Sequence, residues 1–155
     1  MPINVHQNGK LFHLTNQKIS YIIQVLADGT LGNLYFGKKV SDRADFQHLI
    51  ENEYRPNTAY VNKGEVDFTR EHLRQEYPVY GTTDYRHPAL SFLQENGSRI
   101  TSLKLVDYYI YQGKEKLEGL PATYTESKDE ATTIAFTLLD ELINLEVILS
   151  YTIFE

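Results

Sequence analysis

The 155-residue sequence contains no cysteine and no tryptophan. Without cysteine there is no disulfide framework and no thiolate chemistry. This absence fits the reducing environment of the cytoplasm, which is the compartment we expect. No apolar run approaches the roughly 18 residues needed to span a bilayer, and the N-terminus has no basic stretch followed by an apolar core. We therefore expect neither a membrane-spanning segment nor a secretory signal.

The sequence also lacks a cluster of basic residues, and its formal net charge is −6 at pH 7. A net acidic chain without a basic patch repels phosphate groups, so we expect no nucleic-acid partner and no anionic membrane partner. Apolar residues make up 41% and charged residues 23% of the chain, which is ordinary for a folded globular protein. The length predicts one domain, residues 1–155, with a core of its own.

Two β-hairpins are predicted near the N-terminus. Asn8-Gly9 separates the first pair of apolar runs and suits a type I′ turn, in which both central residues have positive φ. Asp28-Gly29 separates the second pair, which is rich in β-branched and aromatic residues. The four strands predicted in this way are Ile3–Val5, Leu11–Leu14, Ser20–Leu26 and Leu31–Phe36.

A long connection from residue 38 to about residue 63 has no clear periodicity. Phe46 and the apolar residues at 49 and 50 predict one short helical turn, and Tyr54-Arg55-Pro56-Asn57 has the composition of a turn. Irregular connections of this length are uncommon in compact domains and are usually functional or disordered. The sequence leaves a mobile surface excursion open, but Phe46 and Tyr54, as aromatic anchors, favour an ordered loop.

The segment Gln75–Ala89, here called the tyrosine-rich loop, combines large rings, opposed charges and two prolines. Solvated linkers lack such rings, and Pro78 and Pro88 remove the backbone donors that a strand requires. We interpret the segment as an ordered loop. Asp84 and Arg86 are predicted to form its main internal tie, either as an ion pair or through bonds from Asp84 to loop amides.

The remaining sequence reads as further strands. Leu90–Gln94 is predicted as one strand, and Ile100–Tyr111 as a longer one with apolar residues on both faces, which indicates an interior position. Residues 132–138 and 147–153 alternate apolar and polar side chains around a turn near 140–144. In total, about ten short strands and little helix predict an all-β sandwich of antiparallel sheets.

No residue pattern indicates catalysis or metal binding. Histidines stand at 6, 13, 48, 72 and 87, without an i, i+4 pair and without cysteine partners, so we expect no metal site. Neither a glycine-rich phosphate loop nor a Gly-x-Ser-x-Gly elbow occurs. A glycosidase carboxylate pair is defined by its separation in space, which spacing along the chain does not give. The residues alone therefore predict no catalytic group and no cofactor.

Several multi-residue motifs nevertheless occur in register along nearly the whole chain. They are Tyr35-Phe36-Gly37-Lys38-Lys39, Gln75-Glu76-Tyr77-Pro78, Tyr80-Gly81-Thr82-Thr83-Asp84-Tyr85-Arg86-His87-Pro88-Ala89, Glu95-Asn96-Gly97-Ser98, Gly113-Lys114, Gly119-Leu120-Pro121-Ala122-Thr123-Tyr124 and Leu149-Ser150-Tyr151-Thr152. With these motifs the chain resembles the N-terminal domain of glycoside hydrolase family 36 α-galactosidases. The resemblance is weakest between residues 39 and 68.

The resemblance implies a large β-supersandwich of antiparallel sheets that precedes a catalytic (β/α)₈ barrel in the complete enzyme. Such enzymes release terminal α-1,6-linked galactose from melibiose, raffinose and stachyose with retention of configuration. Their catalytic aspartates belong to the barrel, and neither catalytic stretch is present in this sequence. The chain is therefore expected to be a non-catalytic fragment, in which Tyr80, Gly81, Asp84 and Arg86 form a structural signature of the loop.

The resemblance also implies a homo-oligomer, since in tetrameric bacterial members this domain lends a loop to a neighbouring protomer's active site. The corresponding stretch lies between Phe46 and Asn57, which makes Glu51, Glu53 and Tyr54 the candidates for contact with a galacto-oligosaccharide. A carboxylate suits this role because it accepts charge-assisted hydrogen bonds from sugar hydroxyls. A solvated surface glutamate is the alternative.

Two functions of different classes remain open. The first is a structural and assembly domain of an α-galactosidase, as the resemblance implies. The second is an independent carbohydrate-binding β-sandwich module, in which some of the twelve tyrosines would stack on sugar rings. Packing within sheets is the simpler explanation for the tyrosines, because aromatic residues are enriched in strands.

Overall fold

The computed structural model describes residues 2–54, 62–119 and 121–155. They form two antiparallel sheets, which confirms the predicted all-β sandwich with little helix. The strands are β1 (Ile3–His6), β2 (Leu11–Thr15), β3 (Ile19–Val25), β4 (Leu31–Lys38), β5 (Lys104–Gln112), β6 (Ala131–Asp140) and β7 (Leu145–Phe154), with short 3₁₀ helices at Gln47–Leu49 and Lys128–Glu130. No helix in these ranges is long and apolar enough to cross a membrane.

The first sheet is a meander of β1, β2, β3 and β4 in chain order. Both predicted hairpins are present, but the central residues of the first turn are Gln7 and Asn8 and not Asn8 and Gly9, since Gly9 N donates to His6 O at 3.2 Å. Asn8 and Gly9 have φ values of 54° and 82°, and Gly29 has a φ of 88°. The positive φ values explain why Asn and Gly stand at these positions, since most other residues are strained there.

The second sheet has the order β5-β6-β7, so β5 lies at an edge among the described strands and the predicted interior position is wrong. The misleading signal comes from a β-bulge between Leu105 and Asp107. Because a bulge adds one residue, Leu105 and Tyr108 both pack against the core although an ideal alternation places them on opposite faces. The apolar residues of β5 therefore do not report two covered faces.

Two predicted strand segments are not strands. Among the described residues, Leu90–Gln94 contributes one isolated bridge, between Val79 and Leu90, and joins neither sheet. Residues 100–103 lie outside β5 because their amides are bonded elsewhere. Thr101 N donates to Tyr80 O at 3.1 Å, and Ser102 N donates to Asp140 Oδ2 at 2.7 Å. Seven strands in the described part of the chain therefore replace the ten predicted.

The main core lies between the two sheets. Phe12 on β2 packs edge-on against Tyr108 of β5 and Phe136 of β6, with ring centroids 4.8 Å apart in each pair. Such T-shaped pairs add about 0.5–1.5 kcal/mol to the gain from burying the rings. The buried members of this core are Ile3, Phe12, Leu14, Ile23, Leu31, Val79, Leu103, Ile134, Phe136, Leu138 and Ile153.

A second apolar cluster covers the outer face of the first sheet. Phe46, from the long connection, packs on Leu11, Ile22 and Leu34. Residues 39–54, the described part of the connection, therefore form an ordered cover on the first sheet. Phe46 anchors this cover, as predicted. Tyr54 is not an anchor, since 58% of its surface is exposed. The predicted turn at residues 55–57 lies outside the described residues.

Replacing Phe46 by alanine is expected to lower the free energy of unfolding by about 3–5 kcal/mol, because the change leaves a cavity between the cover and the sheet. Urea denaturation followed by circular dichroism measures this loss. Tyr124→Ala serves as the control, since Tyr124 is 75% exposed and its loss should change stability by less than about 0.5 kcal/mol. Equal stability of both variants would show that the connection does not cover the sheet.

Candidate functional site

The base of the long connection is fixed to the first sheet by a network around Asp42. His13 Nδ1 lies 2.7 Å from Asp42 Oδ1, and His6 Nε2 lies 3.0 Å from Asp42 Oδ2. Burial acts to raise the pKa of Asp42, but the hydrogen bonds from His13 and His6 outweigh burial and hold this pKa below its usual value. Asp42 is therefore held as a carboxylate against two strands of the sheet.

Ser20, His13 and Asp42 form a hydrogen-bonded chain with the composition of a serine hydrolase triad. His13 Nε2 lies 2.8 Å from Ser20 Oγ, and Val40 N donates to the same oxygen at 3.0 Å. Ser20 and His13 are both 0% exposed. Because no substrate carbonyl reaches a buried hydroxyl, these three side chains act as a structural tie and not as a nucleophilic centre.

The predicted substrate-contact residues follow this base on the outer side of the molecule. Glu51, Glu53 and Tyr54 are all exposed. Glu51 lines a small pocket together with His72 and Arg74. The backbone of Glu53 is held by a hydrogen bond from its amide to Asp67 O at 3.2 Å. The three candidates are thus presented to solvent by a segment that is anchored behind them.

A polar cleft of about 640 Å³ lies beside this segment. Its floor includes Gln24, whose buried side-chain oxygen accepts no hydrogen bond from the described residues. Side-chain amides, carboxylates and one ammonium group converge on the cleft. Its lining residues are Gln7, Lys10, Gln24, Val25, Leu26, Ala27, Gly29, Gln47, Ile50, Asn52, Glu65, Asp67 and Phe68.

The tyrosine-rich loop is built around Asp84, which is 1% exposed. The predicted ion pair with Arg86 is present and is bidentate, with Arg86 Nε 2.8 Å from Oδ1 and Arg86 Nη2 2.7 Å from Oδ2. Gln75 Nε2 donates to Oδ2 at 2.6 Å, and the Arg86 amide donates to Oδ1 at 3.1 Å. Burial acts to raise the pKa of Asp84, but these bonds outweigh burial and lower it.

Arg86 extends this tie to the preceding segment. Its Nη2 donates to Arg70 O at 2.9 Å and to Leu73 O at 3.1 Å. The hydrogen bond to Asp84, opposed by burial, raises the pKa of Arg86 further. The guanidinium therefore stays charged and closes the loop onto residues 70–73, while its side chain remains 47% exposed.

Tyr80 and Gly81 shape the tip of the loop. Gly81 N and Asp84 O are 2.8 Å apart across a tight turn, in which Gly81 has a φ of 110°. A Cβ atom at Gly81 would lie 2.7 Å from Ile100 Cγ2, so both backbone conformation and space require glycine. The Tyr80 and Tyr85 rings pack edge-on, with centroids 5.4 Å apart, and both remain exposed.

Glu76 is the polar residue of this region that sequence reasoning missed. Tyr21 of β3 and Tyr151 of β7 both donate their hydroxyl protons to Glu76 Oε1, the latter at 2.6 Å. Asn33 Nδ2 donates to Oε2 at 3.0 Å. Burial, together with the bond to Glu76, raises the pKa of both tyrosines. No spacing rule could find this cluster, since its members come from three separate parts of the chain.

A buried ion pair was also missed. Arg70 Nε donates to Asp28 Oδ2, and the two side chains are 2% and 5% exposed. Asp28 further accepts from Thr30 Oγ1 at 2.7 Å. This pair fixes the β3–β4 turn to the segment before the tyrosine-rich loop.

Over residues 2–54, 62–119 and 121–155, no group of three or more His, Asp or Glu side chains could hold a metal ion.

The chain matches known proteins over its whole length. The profile of the family described as "Glycosyl hydrolase family 36 N-terminal domain" matches residues 29–155. The curated relative "Alpha-galactosidase AgaA" of Geobacillus stearothermophilus is 40% identical over 100% of this chain and 21% of its own length. "Alpha-galactosidase Mel36A" of Lactobacillus acidophilus is 34% identical over 98% of this chain and 21% of its own length.

Solved structures agree with these matches. A GH36 α-galactosidase, AgaB from Geobacillus stearothermophilus, has a TM-score of 0.88 at 40% identity, covering 100% of this chain and 21% of that chain. An α-galactosidase from Lactobacillus brevis has a TM-score of 0.90 at 33% identity, covering 97% and 20%. The chain thus spans about a fifth of the length of the relatives it matches.

Replacing Arg86 by alanine is expected to reduce the free energy of unfolding by about 1–3 kcal/mol, because Asp84 loses its main partner while it stays buried. Because about half of the Arg86 side chain is exposed, the expected loss of stability is smaller than for a fully buried ion pair. Urea denaturation measures the change. Arg99→Ala is the control, since Arg99 is exposed and its side chain donates to Ser91 Oγ at the surface.

The same variant should change the pH dependence of stability. The pKa of Asp84 is lowered in the folded state, so its contribution is complete above the unfolded pKa of about 3.9 and is lost as pH falls through the folded value. In Arg86→Ala the two pKa values approach each other, and this acid-dependent loss should shrink. A loss of stability between pH 7 and pH 3 that is as large in the variant as in the original protein, measured by urea denaturation, would contradict the tie.

Proposed function

The chain belongs to the N-terminal domain family of glycoside hydrolase family 36, and on that premise we propose that it is the non-catalytic first domain of a retaining α-galactosidase. The proposal rests on one observation: the similarity covers nearly all of this chain but only about a fifth of each of the two α-galactosidases described above. The catalytic (β/α)₈ barrel then belongs to the remaining length of the parent polypeptide. Residues 1–155 supply scaffold and assembly functions to it.

The parent enzyme is proposed to act in the cytoplasm on terminal α-1,6-linked galactosides of the melibiose and raffinose type. One solved relative, a variant of the α-galactosidase AgaA from Geobacillus stearothermophilus, is in complex with raffinose. The absence of cysteine supports a reducing compartment. Within the described residues, the polar side chains best arranged for chemistry are tied internally, as Ser20, Glu76 and Asp84 illustrate. This arrangement supports a scaffold role.

We further propose that the parent is a homo-oligomer, a tetramer, in which the segment carrying Glu51, Glu53 and Tyr54 reaches a neighbouring protomer's active site. Their exposure supports this role. So does the anchoring of the segment through Phe46 and Asp42, because a loop that contacts a substrate in trans must hold its position. Tyr80, Gly81, Asp84 and Arg86 then serve as a structural support on the same domain.

An independent carbohydrate-binding module remains the second candidate function, and the polar cleft beside residues 47–52 favours it. Clefts of several hundred Å³ bind small ligands, and the amides and carboxylates of this one suit sugar hydroxyls. In this function the isolated chain binds sugar without the rest of an enzyme. The two functions therefore differ in a simple binding measurement.

The first test compares the 155-residue chain with the full-length protein encoded by the same gene. We expect the chain alone to release no galactose from melibiose or raffinose, and the full-length protein to release it, because the catalytic groups lie outside this chain. Galactose release is measured enzymatically, and calorimetry of the chain with raffinose accompanies it. Hydrolysis by the chain alone would overturn the proposal, and heat of binding at millimolar sugar would favour the binding module.

The second test addresses the loop proposed to act in trans. Replacing Glu51 and Glu53 together by glutamine in the full-length protein should raise KM for raffinose about tenfold or more, since a lost charge-assisted bond costs about 1.5–3 kcal/mol. Glu95→Gln, an exposed position on a different loop, is the matched control. Steady-state kinetics, with light scattering to verify the oligomer, measures the effect. An unchanged KM would remove the two glutamates from the site.

A further inference from the structure

The described strands leave four sheet edges, and three of them are protected against further pairing. β1 has only four residues. The outer edge of β4 is covered by residues 74–76, since Asn33 N donates to Arg74 O at 2.7 Å and Glu76 N donates to Leu31 O at 2.8 Å. β5 carries a bulge, and Leu105 N donates to Gly29 O at 2.9 Å. Short edges, covering segments and bulges are the usual protections of a sheet edge.

The fourth edge, along β7, has none of these protections. β7 is ten residues long and contains no proline and no lysine. Its pairing with β6 runs without a register shift from Leu145 to Phe154. Long and regular edges of this kind are templates for an added strand. β7 therefore differs from the other three edges in length, regularity and cover.

The pairing with β6 identifies the backbone groups that point outward. Glu155 N donates to Glu130 O at 3.1 Å, which makes Glu130 and Glu155 a hydrogen-bonded pair. In an antiparallel ladder hydrogen-bonded and non-hydrogen-bonded pairs alternate, so the odd-numbered residues of β7 bond to β6. The even-numbered residues direct their N–H and C=O groups away from β6. They are Glu146, Ile148, Ser150, Thr152 and Phe154.

Contacts of this edge agree with that assignment. The Thr133 and Thr152 hydroxyls lie 2.8 Å apart, as the closer side chains of a non-hydrogen-bonded pair allow. The outward carbonyl of Phe154 accepts a hydrogen bond from Asn16 Nδ2 at 2.9 Å. Within the described residues, no backbone hydrogen bond joins the outward groups of 146, 148, 150 and 152 to another segment.

The core-facing side chains are also less buried at this edge than at the centre of the sheet. On the central strand β6, Ile134, Phe136 and Leu138 are at most 2% exposed. Their partners across the ladder, Tyr151, Leu149 and Val147, face the same core but are only partly buried. Beyond β7 nothing in the described residues covers them. An additional strand would bury both these side chains and the outward backbone groups.

We propose that the outer edge of β7 binds a further β-strand, contributed by the part of the α-galactosidase polypeptide that lies outside this chain. The inference rests on the proposed function for the source of the strand, because the matched relatives are about five times longer than this chain. The strand should carry apolar residues at alternate positions, which cover Val147, Leu149 and Tyr151. The second sheet of the domain then continues past β7 in the complete enzyme.

Hydrogen–deuterium exchange, read by mass spectrometry with fragmentation, tests the proposal on the 155-residue chain and on the full-length protein. In the chain alone the amides of Ile148, Ser150 and Thr152 should exchange at least about tenfold faster than those of Leu149, Tyr151 and Ile153. In the full-length protein the two sets should be protected alike. Slow exchange of the first set in the monomeric chain, or fast exchange in the full-length protein, would overturn the proposal.

Ser150→Pro provides an independent arm, because proline removes one outward donor and leaves the ladder to β6 intact. In the full-length protein this variant should lose protection of the Ile148 and Thr152 amides against exchange, whereas Ser150→Thr, which retains the N–H group, should not.

If light scattering instead shows that the chain dimerises through β7, and the full-length protein leaves this edge unprotected, a second copy is the occupant and the proposal fails. Protection in a full-length protein without α-galactosidase activity would reject the proposed function alone.

Discussion

The structure depends on one carboxylate that joins its two sheets. Glu76 accepts hydrogen bonds from Tyr21 in the first sheet and from Tyr151 in the second, and Asn33 of β4 donates to its other oxygen. Apolar packing between sheets is non-directional, so it brings the sheets together without fixing one alignment. A partly buried anion that requires three donors at set positions supplies that alignment. The three donors come from β3, β4 and β7, so the anion fixes all three strands at once.

Glu76 in turn depends on the segment that carries it. Residues 74–76 are bonded to the edge of β4, which sets the position of the carboxylate. The tyrosine-rich loop, which begins at Gln75, closes on Asp84, and Gln75 itself donates to that residue. Arg86 then returns to the carbonyls of Arg70 and Leu73. The loop is thus a clamp around the residue that aligns the sheets, which explains why so irregular a segment is so rich in internal bonds.

The sequence predicted the features that depend on neighbouring residues. Asn8-Gly9 and Asp28-Gly29 identified hairpins because turn geometry is local, and the Asp84–Arg86 pair is separated by a single residue. The Glu76 cluster was missed because its partners lie 55 and 75 residues away. The bulge in β5 was missed because alternation assumes an uninterrupted ladder. The positions of Glu51 and Glu53 in a site stay a prediction, which comes from the resemblance and is supported by the exposure of both residues.

The placement of the polar groups links this fold to its proposed role. A catalytic carboxylate must reach the substrate, either to transfer a proton or to act as a nucleophile, whereas Asp84 is buried and saturated with donors and Asp42 is held by hydrogen bonds to two histidines. Side chains with free access, such as Glu51 and Tyr54, lie on the segment that covers the first sheet, on the side away from the second sheet. The open edge of β7 belongs to the second sheet. A domain arranged in this way can join the rest of its polypeptide through one sheet and present side chains to a further partner from the other.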